Sequence, residues 1–253
     1  MSNAFYAPGK QRAEKVGNLF ATIARHYDLI NDLQSFGLHR RWKRRVVELA
    51  EANRGDRALD VCCGTGDLAF MLVAREVEVT GLDFSAPMLS IAEGRRPASD
   101  PQSAVRNPQF ILGDAQAIPF PDASFDIATV GYGLRNLASW EAGLAEIARV
   151  LKPRGRMLVL DFGKPANSLW RGVYFGYLKT CVPLFGLIFA GRADAYAYIL
   201  ESLKHYPAQL GVEAKMRELG LINVRIQNLL AGAMSINYGE KPSSPKPQTS
   251  TRT

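Results

Sequence analysis

Three carboxylates, Asp60, Asp83 and Asp114, stand in or at the ends of short apolar runs. Open parallel sheets collect ligands at the carboxyl ends of their strands, so successive strand ends bring such groups to one rim. Asp60 lies ahead of two glycines, where a carboxylate can meet a cationic amino-acid group. Asp83, near the end of Val77–Ser85, can accept hydrogen bonds from both hydroxyls of a ribose, and Phe84 adjoins it. Asp114, near the end of Gln109–Ala115, can accept from an adenine amino group. Gly64 and Gly66, in Asp60-Val61-Cys62-Cys63-Gly64-Thr65-Gly66-Asp67, adopt backbone conformations closed to other residues and let a ligand lie against the main chain. Gly64-x-Gly66-x-x-Ala69 also satisfies the loose dinucleotide fingerprint, which keeps an NAD-type dehydrogenase as a rival. Asp67 tilts the balance, because a pyrophosphate would be repelled there. A ligand with an ammonium and a sulfonium but no phosphate, such as S-adenosylmethionine, suits these carboxylates better.

The elements that must position these groups follow from hydrophobic spacing. Gln11 to Leu33 carries apolar residues at helical spacing (Val16, Leu19, Phe20, Ile23, Tyr27, Ile30), after a start marked by Pro8 and Gly9. A second amphipathic run follows Ser35, with Phe36, Leu38, Trp42, Val46, Val47 and Leu49 on one side. Its basic cluster, His39, Arg40, Arg41, Lys43, Arg44 and Arg45, is either a solvated helix face or a surface for anionic lipid or a ligand carboxylate. The run Arg57 to Val61 reads as a buried strand that breaks into the glycine turn and opens a helix through Leu68, Ala69, Phe70 and Leu72. Val77 to Ser85 is a second strand, Ser85 caps a helix from Ala86 to Arg95, and residues 97–108 form a surface loop. Gln109 to Ala115 and Phe125 to Val130 are the third and fourth strands, the latter running into Gly131-Tyr132-Gly133-Leu134-Arg135-Asn136. A helix from Trp140 to Leu151 ends at Lys152-Pro153-Arg154-Gly155, and Arg156 to Phe162 is a fifth strand bearing Asp161.

Leu169 to Arg192 is aromatic and apolar but interrupted by Lys179, Pro183 and Gly186, so its uninterrupted part is too short to span a bilayer. It reads as a buried helix or as a lid lining an apolar tunnel and touching a membrane surface. Residues 193–219 give two more helical patterns. Val224–Leu229 and Met234–Tyr238 are a closing pair of strands, and from Pro242 the chain is rich in Pro, Ser and Thr and expected to be disordered.

Composition bounds the possibilities. At 253 residues and 47% hydrophobic content the chain supports one large domain with an ample core. Its start is neither basic nor followed by a long apolar run, which argues against a signal peptide. The three cysteines, Cys62, Cys63 and Cys181, form neither a disulfide framework nor a metal-ligand spacing, as expected in a reducing cytosol. A net charge of +7 suggests an anionic partner surface. No aromatic-basic RNA-binding signature is present, so a membrane is favoured over nucleic acid.

These residues resemble the UbiE/Coq5 family of quinone C-methyltransferases over about Gly17 to Lys241. Tyr27-Asp28-Leu29-Ile30-Asn31 with Ser35, His39-Arg40 and Trp42-Lys43 is similar to the first family signature, with Ile30 where methionine is usual. Arg149-Val150-Leu151-Lys152-Pro153-Arg154-Gly155 resembles the second, Arg154 replacing a glycine. Gly133-Leu134-Arg135-Asn136 and the ending Gly232 to Lys241 are also family-like. A short-chain dehydrogenase would need a Tyr-x-x-x-Lys pair after the fourth strand; the one such spacing, Tyr6 to Lys10, lies at the wrong end and spans Pro8.

The resemblance implies a class I methyltransferase fold: an α/β, Rossmann-like seven-stranded sheet with its last strand antiparallel. It implies a single domain over residues 1–241, covered by N-terminal helices (11–52) and an apolar helical cap (165–206), with residues 242–253 as a tail. S-adenosylmethionine is the implied co-substrate, contacted at Thr65, Asp83, Asp114 and Ala115. Gly131 stands where relatives have serine and contributes main chain only. With the residue-level reading, the cofactor set is Asp60, Gly64, Thr65, Gly66, Asp83, Phe84, Asp114, Ala115 and Gly131.

The implied acceptor is a prenylated quinol methylated on a ring carbon. Gly81–Ser85 and Met234–Asn237 look closer to members that act on demethylmenaquinol than to those that act on a ubiquinone precursor. Arg135 is expected to stabilise the phenolate, with Asp161 and His39 as proton acceptors, while Asp28 and Asn31 pin the N-terminal helix over the cofactor. No metal is expected. The implied setting is the cytoplasm, with transient attachment to an anionic membrane face; a homodimer is left open. A scaffold that only binds the cofactor is the non-enzymatic rival.

Overall fold

The computed structural model describes residues 27–97, 107–190 and 194–243, and the side chains of 190–198 are not described. Residues 11–26 of the helix expected over Gln11 to Leu33, most of the 97–108 loop and the tail beyond 243 lie outside the described residues.

Seven strands form one sheet: β1 (Arg57–Val61), β2 (Glu78–Asp83), β3 (Gln109–Leu112), β4 (Phe125–Gly131), β5 (Leu151–Phe162), β6 (Ile222–Leu229) and β7 (Met234–Glu240). Their spatial order is β3-β2-β1-β4-β5-β7-β6. Pairs from β3 to β5 are parallel, and β7 runs antiparallel to both β5 and β6. The central strands are apolar because both faces are covered: Leu59, Ile127, Ala128, Met157, Leu158 and Leu160 are fully buried. Burial of each large aliphatic side chain stabilises the fold by about 1.5–3 kcal/mol.

The helices are α1 (Tyr27–Ser35), α2 (Leu38–Leu49), α3 (Asp67–Val73), α4 (Ala86–Gly94), α5 (Trp140–Val150), α6 (Ser168–Ala190), α7 (Asp194–His205) and α8 (Ala208–Glu218). α2 turns Trp42, Val46 and Val47 into the core, and α5 turns in Leu144 and Ile147. The Ser139 hydroxyl accepts the Ala142 N–H at 3.1 Å and so caps α5. Ser85 stands at the N-cap of α4, yet its hydroxyl makes no cap bond and is buried without a partner. The Asp83 carboxylate accepts the Ser85 N–H instead, at 2.9 Å.

Three differences from the sequence reading have local causes. The third strand stops at Leu112, so Asp114 and Ala115 lie in the loop beyond it. Lys152 to Gly155 does not interrupt the chain before β5; it is part of β5, where the register with β4 shifts between Phe125 and Ile127. Arg154 holds the bulge at φ +65°, clasped by its N–H to the Lys241 carbonyl at 2.8 Å. The interruptions in the apolar segment do not break it either. Ser168–Ala190 is one helix with Pro183 inside, and Ser168–Phe189 is long and apolar enough to cross a membrane.

Strand order reverses between β1 and β4, which leaves a crevice at their carboxyl ends.

Candidate functional site

The crevice is walled by two turns whose backbones are strained. Cys62, just after β1, has φ +55°, and Tyr132, just after β4, has φ +62°. Each such residue costs about 1–3 kcal/mol and persists only where the surroundings enforce it. The two turns abut so closely that a Cβ on Gly133 would lie 2.2 Å from the Cys62 Cβ. On the other side, Gly66 opens α3 at φ +85°, with Phe110 2.8 Å from where its Cβ would be. Gly66 shapes the turn without lining the cleft.

Three adjoining spaces make up the cleft, each of about 320–480 Å³ including space open to solvent. Cys62 lines all three. Asp114 and Ala115 line the first space, and Asp83 and Phe84 line both the first and the middle one. Gly64 and Gly131 line the middle and the third, where Asp60 and Thr65 also lie. Eight of the nine residues expected at the cofactor therefore share one cleft.

Their partners define what each can still do. Asp83 accepts the Gly64 N–H at 2.8 Å through Oδ2 and the Ser85 N–H through Oδ1, with a further backbone bond from Phe84, and a carboxylate's acceptor capacity exceeds these three. Burial pushes its carboxyl up, against the hydrogen bonds from these amides. Asp114 is exposed and accepts from the Gln116 backbone at 2.9 Å. Asp60 is buried, with the Thr129 hydroxyl donating to Oδ1 at 2.8 Å. Burial raises its carboxyl to about 7, against Thr129 and the charge of Lys43. A cationic ligand group would relieve that burial penalty. Thr65 donates its hydroxyl to Asp28 at 3.0 Å, which ties α1 to the glycine turn.

Asp67 behaves differently from its sequence reading. Its oxygens meet Lys43 Nζ at 2.6 Å and Arg95 at 2.7 Å. Burial alone would raise its pKa, but these cations hold it at about 2 and balance its charge. The repulsion of a pyrophosphate cannot rest on Asp67; Asp60 and Asp83 are the buried cleft acids without an ion pair among the described residues.

Of the three catalytic candidates, two are brought together. Arg135, in a 3₁₀ turn over Leu134–Asn136, donates to Asp161 Oδ1 at 3.0 Å, and its backbone N–H reaches Oδ2 at 3.3 Å. The guanidinium also donates to the Tyr132 carbonyl and to the Ser202 hydroxyl, and lies 4.6 Å from the Phe162 ring centroid. Both side chains are about 95% buried. Burial pushes the Asp161 carboxyl up, against the pull of Arg135 and of two backbone amides. Beside this pair, Tyr174 and Tyr206 bury hydroxyls that have no hydrogen-bond partner and sense the charges of Arg135 and Asp161. His39 sits apart, on α2, held by the Ser35 hydroxyl at 3.1 Å and 3.7 Å from Asp32. Burial and then Lys43 lower its pKa and keep the ring neutral.

Lys43, Cys62, Met88, Tyr132, Asn136 and Leu137 line the cleft but were not among the expected contacts. Gly133 and Asn136 within the Gly131–Asn136 stretch were the only local signal for this wall.

A model of the ubiE/COQ5 methyltransferase family matches residues 9–241. The chain belongs to that family. Its co-substrate is S-adenosylmethionine, and the dehydrogenase reading falls away. Within the ubiE/COQ5 family, the ubiquinone/menaquinone biosynthesis C-methyltransferase UbiE of Azotobacter vinelandii is 40% identical over 238 residues, 93% of each chain. The demethylmenaquinone methyltransferase of Desulfitobacterium hafniense is 41% identical over 237 residues, 92% of each chain. Among solved structures, a SAM-dependent methyltransferase of Thermotoga maritima aligns with TM-score 0.60 at 18% identity, over 89% of this chain and 99% of that one. The [4+2]-cyclase SpnF aligns equally well, TM-score 0.60 at 17% identity, over 92% and 97%. A likeness that includes a cyclase speaks for the fold alone; the reaction must be argued from the site.

Proposed function

We propose that this ubiE/COQ5 enzyme methylates a ring carbon of a prenylated quinol, with demethylmenaquinol as its acceptor, working from the cytoplasmic face of the membrane. The observation that carries the reading is the order of acids along one cleft. Asp114 with Ala115 suits adenine, Asp83 with Phe84 suits a ribose diol, and Asp60 suits the ammonium of an amino acid. Gly64, Thr65 and Gly131 supply the close backbone approach, and Gly66 shapes the turn behind them. The acids, amides and small residues fit a cationic nucleoside that carries no phosphate.

S-adenosylmethionine supplies an activated methyl group, so the protein's work is alignment and exclusion of water. An electron-rich ring carbon forms the new C–C bond as the S–CH₃ bond breaks, sulfur leaves as a neutral thioether, and the displaced ring proton is lost. Only the reduced ring is nucleophilic. Loss of a quinol O–H proton raises charge on that carbon, and in this reading Arg135, acting as a unit with Asp161, stabilises the resulting oxyanion. Asp161 and neutral His39 are the groups able to accept a proton. The partnerless hydroxyls of Tyr174 and Tyr206 beside Arg135 and Asp161 favour a polar aromatic guest there.

The acceptor's tail suits α6. Tyr174, Leu178 and Val182 face inward, whereas Leu169, Val173, Leu184, Leu187 and Ile188 are more than half exposed. An outward apolar face of this kind, on a chain of charge +7, favours transient docking on anionic lipid. In this reading α1 and α2 cover the cofactor and α6 with α7 caps the acceptor, all within one domain.

The test is transfer of labelled methyl to demethylmenaquinol and to a ubiquinol precursor, each reduced and oxidised. Label should enter reduced demethylmenaquinol; preference for the benzoquinol would move the assignment to the ubiquinone branch, and no transfer to either would end it. For the membrane, co-sedimentation with anionic vesicles should fall with salt and with Leu187→Ser/Ile188→Ser. Binding indifferent to both would remove α6 from the account.

A further inference from the structure

Six basic residues crowd the start of α2, and the fold separates them. Arg40, Arg41 and Arg44 are exposed, Arg45 is half-buried, and Lys43 is turned inward with a side chain only 7% exposed. Its ammonium lines the same end of the cleft as Asp60, Gly64 and Thr65, 5.8 Å from the centroid of the Tyr132 ring. An ammonium has three N–H groups. Among the described residues only Asp67 takes one, at 2.6 Å. Asp67 does not neutralise the site by itself, because its other oxygen is held by Arg95 at 2.7 Å. A buried cation with unsatisfied donors therefore faces a space whose opposite charge, Asp60, also lacks an ion-pair partner within hydrogen-bonding reach.

A zwitterion satisfies both. We propose that Lys43 receives the α-carboxylate of the methionine moiety while Asp60 receives its ammonium. This rests on the reading of the cleft as the S-adenosylmethionine site and adds a selective element to it. The cofactor is then recognised at both charges of its amino-acid end, and Asp67 with Arg95 is a positioning pair that aims Lys43. The arrangement also ties the N-terminal cover to ligand binding, since Lys43 lies on α2 while Asp60 and the glycine turn belong to the sheet edge.

The test is equilibrium titration of S-adenosylmethionine and of its decarboxylated analogue, which keeps every other group. Wild-type protein should prefer the carboxylate-bearing ligand by about 10–100-fold, the range for a hydrogen bond to a charged group. Lys43→Met should lose that preference by weakening S-adenosylmethionine alone, and Lys43→Arg should keep part of it. Equal weakening of both ligands in Lys43→Met would overturn the proposal and leave Lys43 as a packing residue for Asp67. Should that variant not fold, the wild-type comparison still decides: affinities within about threefold of each other exclude a carboxylate contact of this strength. If wild type binds neither adenosyl ligand, the cofactor site itself is misplaced, an outcome distinct from binding both equally.

Discussion

The β1–β4 edge and the region beyond β4 treat charge in opposite ways. At the first, Asp60 and Asp83 are buried, but their partners are a hydroxyl and backbone amides, and capacity for a ligand remains. Beyond β4, Arg135 and Asp161 satisfy each other inside a shell that includes Tyr132, Phe162 and Ser202. A carboxylate held by main chain is a site that the fold keeps ready. A carboxylate held by a guanidinium is first a structural element, and any catalytic use requires the pair to open or to act as a unit.

The largest effect expected from this contrast is on stability. Arg135→Ala leaves Asp161 as a buried, uncompensated charge and should cost about 3–5 kcal/mol in denaturant unfolding. Arg135→Met with Asp161→Leu should recover most of it. A single substitution that leaves stability unchanged would break the comparison, and loss of methyl transfer by Arg135→Ala cannot be read as chemistry until stability has been measured. Next comes the wall between the two regions. Gly133→Ala drives a Cβ against Cys62 and should cost about 1–3 kcal/mol by overpacking, with weaker cofactor binding in titration. Adding Cys62→Gly, which removes the opposing atoms and suits φ +55°, should restore both.

The third expectation concerns Asp60, with its carboxyl at about 7. Ligand ammonium requires the ionised form, so affinity for S-adenosylmethionine should weaken by about tenfold between pH 7.5 and 6, and Asp60→Asn should flatten that dependence. Without ligand the sign reverses. Between about pH 4 and 7 the folded state binds the proton more tightly than the unfolded chain, so stability falls as pH rises through that window, and Asp60→Asn removes the slope. A flat binding profile in wild type would place Asp60 away from the ammonium. The smallest effect lies away from either region: Arg154→Gly relieves the left-handed bulge in β5 and should raise stability by about 1 kcal/mol with transfer activity unchanged.

The contrast also explains what could be read early. The glycine turn, the strand ends at Asp60 and Asp83 and the antiparallel closing strand were legible because each depends on local backbone preference and on alternation of apolar residues. Asp114 was placed at the rim even though its strand stops at Leu112, because two residues of error along a strand end leave the rim in place. Ser85 looked like a cap by type, but tertiary burial gave its N–H to Asp83 and left its hydroxyl unpaired. Pro183 looked like a break, yet Ser168–Ala190 continues through it. Packing of Tyr174, Leu178 and Val182 on one side outweighs one lost backbone hydrogen bond.

By itself the sequence determined the order of the strands along the chain, the turn that opens beneath a ligand and the family signatures of Tyr27–Lys43 and Arg149–Gly155. Those features are short-range, set by conformational freedom and hydrophobic period. Only the tertiary structure decided that Arg135 closes on Asp161, that Asp67 is neutralised by Lys43 and Arg95, and that of six neighbouring basic residues only His39 and Lys43 are buried, Lys43 against the cleft. A charge's meaning depends on the partner that folding brings within about 3 Å, and that partner lies 24 to 28 residues away along the chain for Lys43–Asp67, Arg135–Asp161 and Arg95–Asp67.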